Sequence, residues 1–348
     1  MKKKSLALVA NNKAKPLEEY QQSRPVQLSL FELMDLPERK HSNTIELYDF
    51  MPKYVWGKVE RVQDQFLPRL ERQFECRGKQ YKVKIDPAKI EDGDGKVRDY
   101  YPGRREELIE DALRKLACEG HGLFLDEQAG VTFTLYQLQQ ELNRAGHSYS
   151  YDQIKEALYV CAKTNVEVQS EDGSTVLLSS IFETLGLQSR EDWQEHGQKT
   201  RCFVRFNSLV TASIKTRTFR QLNYETAMGY KSTIARQLHK RLSHHFTQAG
   251  LLTRYEIMLS TLIRDFGLTR YTELRNNLRD VVAALDELKT KETIWYYEVE
   301  KVLDISRRNR LVDAKISIGT SKRFCIEVTK ANDRQKRIRS ERIPEEQG

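Results

Sequence analysis

The sequence predicts an α+β fold, two tandem winged-helix domains preceded by a partly disordered N-terminal segment, and three observations predict it. Seven of the eight prolines lie at or before Pro102, and the stretch from Gly103 to Ile343 contains none. That proline-free stretch carries helical apolar periodicity, broken by short alternating runs. Within it the order helix, strand, helix, turn, helix, hairpin occurs twice, and this is the order of a winged helix. The expected division is a tail over 1–41, a loosely assigned segment over 42–102 that packs on the first domain, winged helices over 103–195 and 200–330, and a basic C-terminal tail over 331–348.

Residues 1 to 24 are polar and charged with little periodicity, the composition of a disordered tail. Gln27, Leu28, Ser29, Leu30 and Phe31 follow. This segment resembles the peptide with which bacterial replication and repair proteins grip the sliding clamp, with Leu30 and Phe31 as apolar anchors. A local reading stands beside it. Ser29 and Glu32 have capping-box spacing, so Ser29 can instead start a short helix from Leu30 to Leu36 that Pro37 ends. Farther on, Ser42–Trp56 is too aromatic to be disordered. Phe74–Ile85 alternates well enough for a strand or two, and Asp92-Gly93-Asp94-Gly95 is a turn.

The first unit opens with Leu108, Ile109, Ala112, Leu113, Leu116 and Ala117 at helical spacing, closed by Gly120. Leu123–Leu125 is a short strand, and Thr134 can cap a helix over Leu135–Ala145. After a turn at Gly146-His147, Ser150 and Gln153 form a capping box for a third helix through Lys163. Val166–Ser170 and Thr175–Ser180 flank Asp172-Gly173, a strong hairpin signal. In the second unit one long helix is expected from about Asn223 to Gln248. A second runs from Tyr255 to Phe266 and is stopped by Gly267. Thr269 can cap a third, whose apolar set is Leu274, Leu278, Val281, Val282, Leu285 and Leu288. Ile294–Lys301 and Leu311–Ile318 are strands joined through Ser306–Arg310.

Charge is uneven. Residues 201–348 carry 29 Lys+Arg against 17 Asp+Glu, net +12, while the remainder carries 29 against 33, net −4. A basic half of this size points to nucleic acid. A winged helix sends its third helix into the major groove, so that helix must expose donors and charge. In the second unit Arg270, Tyr271, Arg275, Asn276 and Arg279 project away from the apolar stripe; Arg can pair with guanine and Asn with adenine. The wing tip Arg307, Arg308, Asn309 and Arg310 suits phosphates or a minor groove. The first unit's third helix offers Tyr151, Asp152, Gln153, Lys155 and Glu156, a mixed set suited to bases or to a dimer surface. Tyr151, Gln153 and Lys155 are its candidate DNA contacts.

Phe206–Ile214, Tyr224 with Lys231–His244, and Leu274–Leu288 together resemble bacterial plasmid replication initiators, the Rep proteins of theta-replicating plasmids. With the clamp-type peptide, the likeness is nearest to the broad-host-range initiators of the TrfA type. The resemblance implies tandem winged helices, binding of double-stranded origin DNA at repeated sites (iterons), opening of an AT-rich segment, recruitment of the host helicase and initiator proteins, and a homodimer that represses. The alternative is a winged-helix transcriptional repressor or copy-control protein without replisome contact.

No enzyme is expected. Gly229-Tyr230-Lys231-Ser232 lacks the Gly-Lys junction of a phosphate loop and reads as mid-helix packing. His239, His244 and His245 lack a nickase's His-apolar-His spacing and read as helix-dipole or surface partners. The five cysteines are scattered with no zinc spacing, the pattern of reduced thiols in a cytoplasmic protein. Neither metal nor cofactor is expected, and no apolar run reaches membrane-spanning length.

Overall fold

The computed structural model describes residues 41–57, 66–91, 95–125, 127–173, 176–187, 202–307 and 309–340. The clamp-type peptide Gln27–Phe31 and the wing residue Arg308 lie outside the described residues. The chain is an α+β protein built on two apolar cores.

The segment ahead of the first unit opens with β1 (His41–Thr44) and α1 (Glu46–Phe50). Tyr48, Phe50, Met51 and Tyr54 are buried in the first core, so the aromatic run does pack on the folded body. Two hairpins follow, β2 (Leu70–Cys76) with β3 (Lys79–Asp86), and β4 (Ala88–Glu91) with β5 (Val97–Tyr100). Arg77 and Gly78 connect β2 to β3, both at positive φ, as a two-residue type I′ hairpin turn requires.

In the first unit α2 (Arg104–Leu116) ends in a widened turn over Ala117–His121, where Gly120 takes φ +88. β6 (Gly122–Leu125), α3 (Leu135–Arg144), α4 (Tyr151–Lys163), β8 (Asn165–Ser170) and β9 (Val176–Ser180) follow in the expected order, with one further strand, β7 (Gln128–Phe133), between β6 and α3. The capping box of Ser150 with Gln153 forms, and Thr134 caps α3 in a second box with Gln137. The hairpin β8–β9 is extended from outside the unit: β3 pairs with β8, giving the order β2-β3-β8-β9. A second sheet, β10-β11-β7-β6, adds β10 (Phe182–Gly186) and β11 (Cys202–Phe206). After α5 (Ser208–Lys215), β12 (Arg220–Asn223) returns to pair with β1, and α6 (Tyr224–Met228) completes the first core.

The long helix expected from Asn223 to Gln248 is two helices, α6 and α7 (Thr233–His245). The break has local causes. Ser232 caps α7 through its hydroxyl, and the Glu287 carboxylate accepts from the Lys231 and Ser232 amides at 2.6 and 2.8 Å. Gly229–Ser232 is therefore a capped junction and not mid-helix, and with Tyr230 the second core begins. The helix expected from Tyr255 is likewise divided. Tyr255–Met258 forms β13, paired with the wing strand, and only Leu259–Asp265 is helical, as α8. Next come α9 (Leu274–Thr290), β14 (Ile294–Asp304) and β15 (Arg310–Thr320), in a sheet ordered β13-β15-β14. Thr269 does not cap α9, whose N-cap is Glu273.

The stretch read as a C-terminal tail is helical through Ser340, in α10 (Lys322–Ser340). This helix joins both units. Phe324 and Val328 enter the second core, while Ile338 enters the first. Arg220 of β12 reaches Asn332 at 2.7 Å, and Asn332 donates onward to the Thr247 carbonyl.

Ionic groups bridge the units at α2 and α7. Glu107 of α2 accepts from Arg236 at 3.0 Å and from Gln237 at 2.6 Å, and Lys240 reaches Asp111 at 2.7 Å. Glu107, Arg236, Gln237 and Lys240 are all buried. Burial raises the Glu107 carboxyl pKa, but Arg236 and Lys240 more than reverse this and hold it below the ordinary glutamate value.

The histidines of α7 are not surface partners. His239 is fully buried against the Tyr230 hydroxyl, 3.0 Å from Nδ1, and His244 and His245 contact Phe50. Burial, with Arg323 and Lys240 nearby, pushes His239 down to about 3. In the unfolded chain an imidazole titrates near pH 6.5, so unfolding takes up a proton between those values. The stability is full above about pH 6.5 and falls by up to ~1.4 kcal/mol per pH unit for this proton as pH drops toward 3. Urea midpoints should decline from pH 7 to pH 5, with the folded His239 imidazole still neutral by NMR. A flat midpoint with an imidazole titrating near 6.5 would contradict its burial.

Candidate nucleic-acid interface

Helix α8, the turn over 266–273 and helix α9 form a helix-turn-helix whose parts are tied by side chains. Gly267 takes φ +61 at the end of α8, and a Cβ there would lie 2.6 Å from the Arg72 guanidinium. Asp313 of β15 accepts from the Ser260 amide and hydroxyl at 3.0 and 2.6 Å, fixing the start of α8 to the sheet. Asn277 is the central tie. Buried on α9, its carboxamide accepts from the Tyr271 amide at 3.0 Å and donates to the Thr269 carbonyl at 2.8 Å. From the wing, Arg310 donates to the Thr272 carbonyl at 3.2 Å. The turn is thus held from the helix on one side and from the wing on the other.

Arg270, Tyr271 and Arg310 line one open groove with Thr272, Leu274, Leu311 and Val312. Arg275, Asn276 and Arg279 are exposed on the first turns of α9, beside the buried stripe of Leu278, Val281, Leu285 and Leu288. Arg279 also contacts its neighbour Asp280 at 3.2 Å. Arg270 and Arg275 make no ion pair among the described residues. At the wing tip Ile305–Arg307 form a short 3-10 turn, and Asn309 takes φ +56, a conformation asparagine tolerates better than most residues. Asn309 therefore shapes the turn as well as facing solvent.

The first unit's set lies on a different element. Tyr151 and Gln153 are exposed and Lys155 is half-buried, all at the start of α4. The Gln153 side-chain oxygen accepts from the Ser150 amide at 2.9 Å in the capping box. Glu156 is held by Arg105 at 2.6 Å.

Sequence reading missed Asn277 and Asp313, which position the site without belonging to its exposed face. The only available signal for Asn277 was an asparagine on the apolar side of a helix, since its partners are backbone groups that sequence does not show. Among the described residues no group of three His, Cys, Asp or Glu is placed to hold a metal, and no helix is long and apolar enough to cross a membrane.

No protein-family model matches the chain, and no curated protein matches it. Several solved structures are similar. Two are of domains 2 and 3 of RctB: one is 12% identical, with TM-score 0.46, covering 74% of this chain and 93% of that one. The other is 13% identical, with TM-score 0.45, covering 77% and 96%. A third is the Pi initiator protein in complex with iteron DNA, 13% identical, with TM-score 0.44, covering 63% and 91%.

Asn277→Ala frees the Tyr271 amide and leaves the Thr269 carbonyl without its donor. It should cost about 1–3 kcal/mol, the loss expected for an unmade buried hydrogen bond. Hydrogen exchange should show lost protection at Tyr271 while the core of α9 keeps its own. Unchanged exchange at Tyr271 would contradict the tie.

Proposed function

We propose that the chain is a DNA-binding replication initiator that reads duplex origin DNA with α9 and the wing of its second unit. The observation that carries this reading is the groove shared by Arg270 and Arg310, with Arg275 and Asn276 exposed on the first turn of α9, held in place by Asn277 and by the Arg310–Thr272 bond. Exposed arginines at the start of a third helix suit base edges, and basic residues on the adjacent wing suit phosphates. The net +12 of residues 201–348 supplies the long-range attraction.

Initiation in particular, as opposed to repression, is supported by the stretches resembling plasmid Rep proteins and by the clamp-type peptide Gln27–Phe31. In this reading the second unit holds the origin repeats, and the N-terminal peptide tethers the bound protein to the sliding clamp. Strand opening draws on binding and bending energy, host initiator and helicase proteins complete the assembly, and a homodimer serves copy control. Footprinting on the DNA flanking its own gene separates the two readings: protected direct repeats support the initiator, whereas a single inverted repeat supports the repressor.

Two substitutions separate the roles within the interface. Arg275→Ala should relax preference at one base pair by about 1–3 kcal/mol. Arg308→Ala should weaken every site alike and lower the salt slope by about one phosphate contact. Competition binding across single-base variants and salt concentrations reads both, and equal effects of the two on every sequence would refute this division. Leu30→Ala with Phe31→Ala should abolish capture of purified sliding clamp and leave DNA affinity unchanged. Undiminished capture by the double variant would remove the clamp peptide from the account.

A further inference from the structure

The wing outruns the sheet that supports it. β13 pairs only with Lys315–Ile318 of β15, while β14 and β15 continue pairing as far as Asp304 and Arg310. The free end of this hairpin is more apolar than a solvated tip needs to be. Val302, Leu303 and Val312 are exposed there, and Ile305 at the tip is 85% exposed. Ile305 is also fixed in place: the Ser306 amide and hydroxyl both donate to the Asp304 carboxylate, at 3.0 and 2.6 Å, closing a tight turn around it. Below the tip, the bond from Arg310 to the Thr272 carbonyl sets the wing against the turn that opens α9. An isoleucine is therefore held out at a fixed offset from the basic groove.

We propose that Ile305 is a wedge: the wing enters the minor groove beside the major-groove segment read by α9, and Ile305 inserts between two base pairs, unstacking one step and bending the duplex. This rests on the DNA-binding reading above. Apolar side chains that bend DNA act in this way, exchanging the cost of unstacking for added contact along the bent duplex. Pyrimidine–purine steps, TA above all, yield most easily, so the wedge also selects sequence where no side chain reads a base edge. Charge favours DNA over a protein partner as the occupant, because the sequence runs from Ile305 through Ser306 into Arg307, Arg308, Asn309 and Arg310, and Arg310 lines one groove with Arg270.

The test uses the full chain and a short duplex that it selects from a random pool. 2-Aminopurine is placed at successive steps across the footprint, and a dye pair at the duplex ends reads the bend. The wild type should raise 2-aminopurine fluorescence several-fold at one step and shorten the end-to-end distance. Ile305→Ala should abolish both changes, and with them the preference at the opened step, while keeping the bases selected elsewhere in the site and an affinity within about tenfold, and Ile305→Leu should retain them. Because Ile305 is exposed, both variants should fold as the wild type does, which circular dichroism checks. Bending without any fluorescence rise, or equal bending by Ile305→Ala, overturns the wedge and leaves the DNA-binding reading standing. A wild-type chain that enriches no duplex from the pool overturns both.

Discussion

The orientation of the two units depends on charged side chains that are out of water at the junction of α2 and α7. Arg236 is fully buried, as is Glu107, whose carboxylate it meets at 2.9 Å. Such a pair adds little net stability by itself, because desolvation offsets the attraction. Separating the partners is another matter, since an uncompensated buried charge costs about 3–5 kcal/mol. Gln237 and Lys240 converge on the same carboxylate, and Lys240 also reaches Asp111, so few relative positions of the helices satisfy all of these groups. The network is a specificity device more than an adhesive.

The neighbouring contacts extend this constraint toward the interface. Arg241 of α7 pairs with Asp265 at the end of α8, and Arg264 reaches both Asp265 and Glu75 of β2. Trp56 donates to the Phe266 carbonyl at 2.7 Å, and Arg72 packs against Gly267. The segment before the first winged helix thus grips the helix-turn-helix of the second, and α10 closes the opposite connection through Arg220 and Ile338.

Local chemistry made much of this fold legible in the sequence. Thr134 with Gln137, Ser150 with Gln153, and the Asp172-Gly173 hairpin are decided by residues a few positions apart, and the exposed face of α9 follows from the period of its buried one. The failures come from what periodicity cannot resolve. Tyr255–Met258 is too short for its alternation to be told from a helix turn, and its strand character is fixed by pairing with β15 far along the chain. Glu287 caps the start of α7 from 55 positions away, so the break after Gly229 was visible only as a serine and a glycine in a helical run. The addition of β3 to the β8–β9 hairpin and the return of α10 to the first core are long-range as well. At the candidate site the exposed arginines were legible by charge, whereas Asn277 was not, because it bonds to backbone.

In the proposed reading α9 meets the major groove and the wing the adjacent minor groove of one duplex. Methylation interference on the selected duplex tests it directly, because dimethyl sulfate marks guanine N7 in the major groove and adenine N3 in the minor groove. A cluster of interfering guanine N7 positions should be flanked, about half a helical turn away, by interfering adenine N3 positions, with Arg275→Ala removing sensitivity only within the guanine cluster. Full binding with no interference at any guanine N7 or adenine N3 would contradict it.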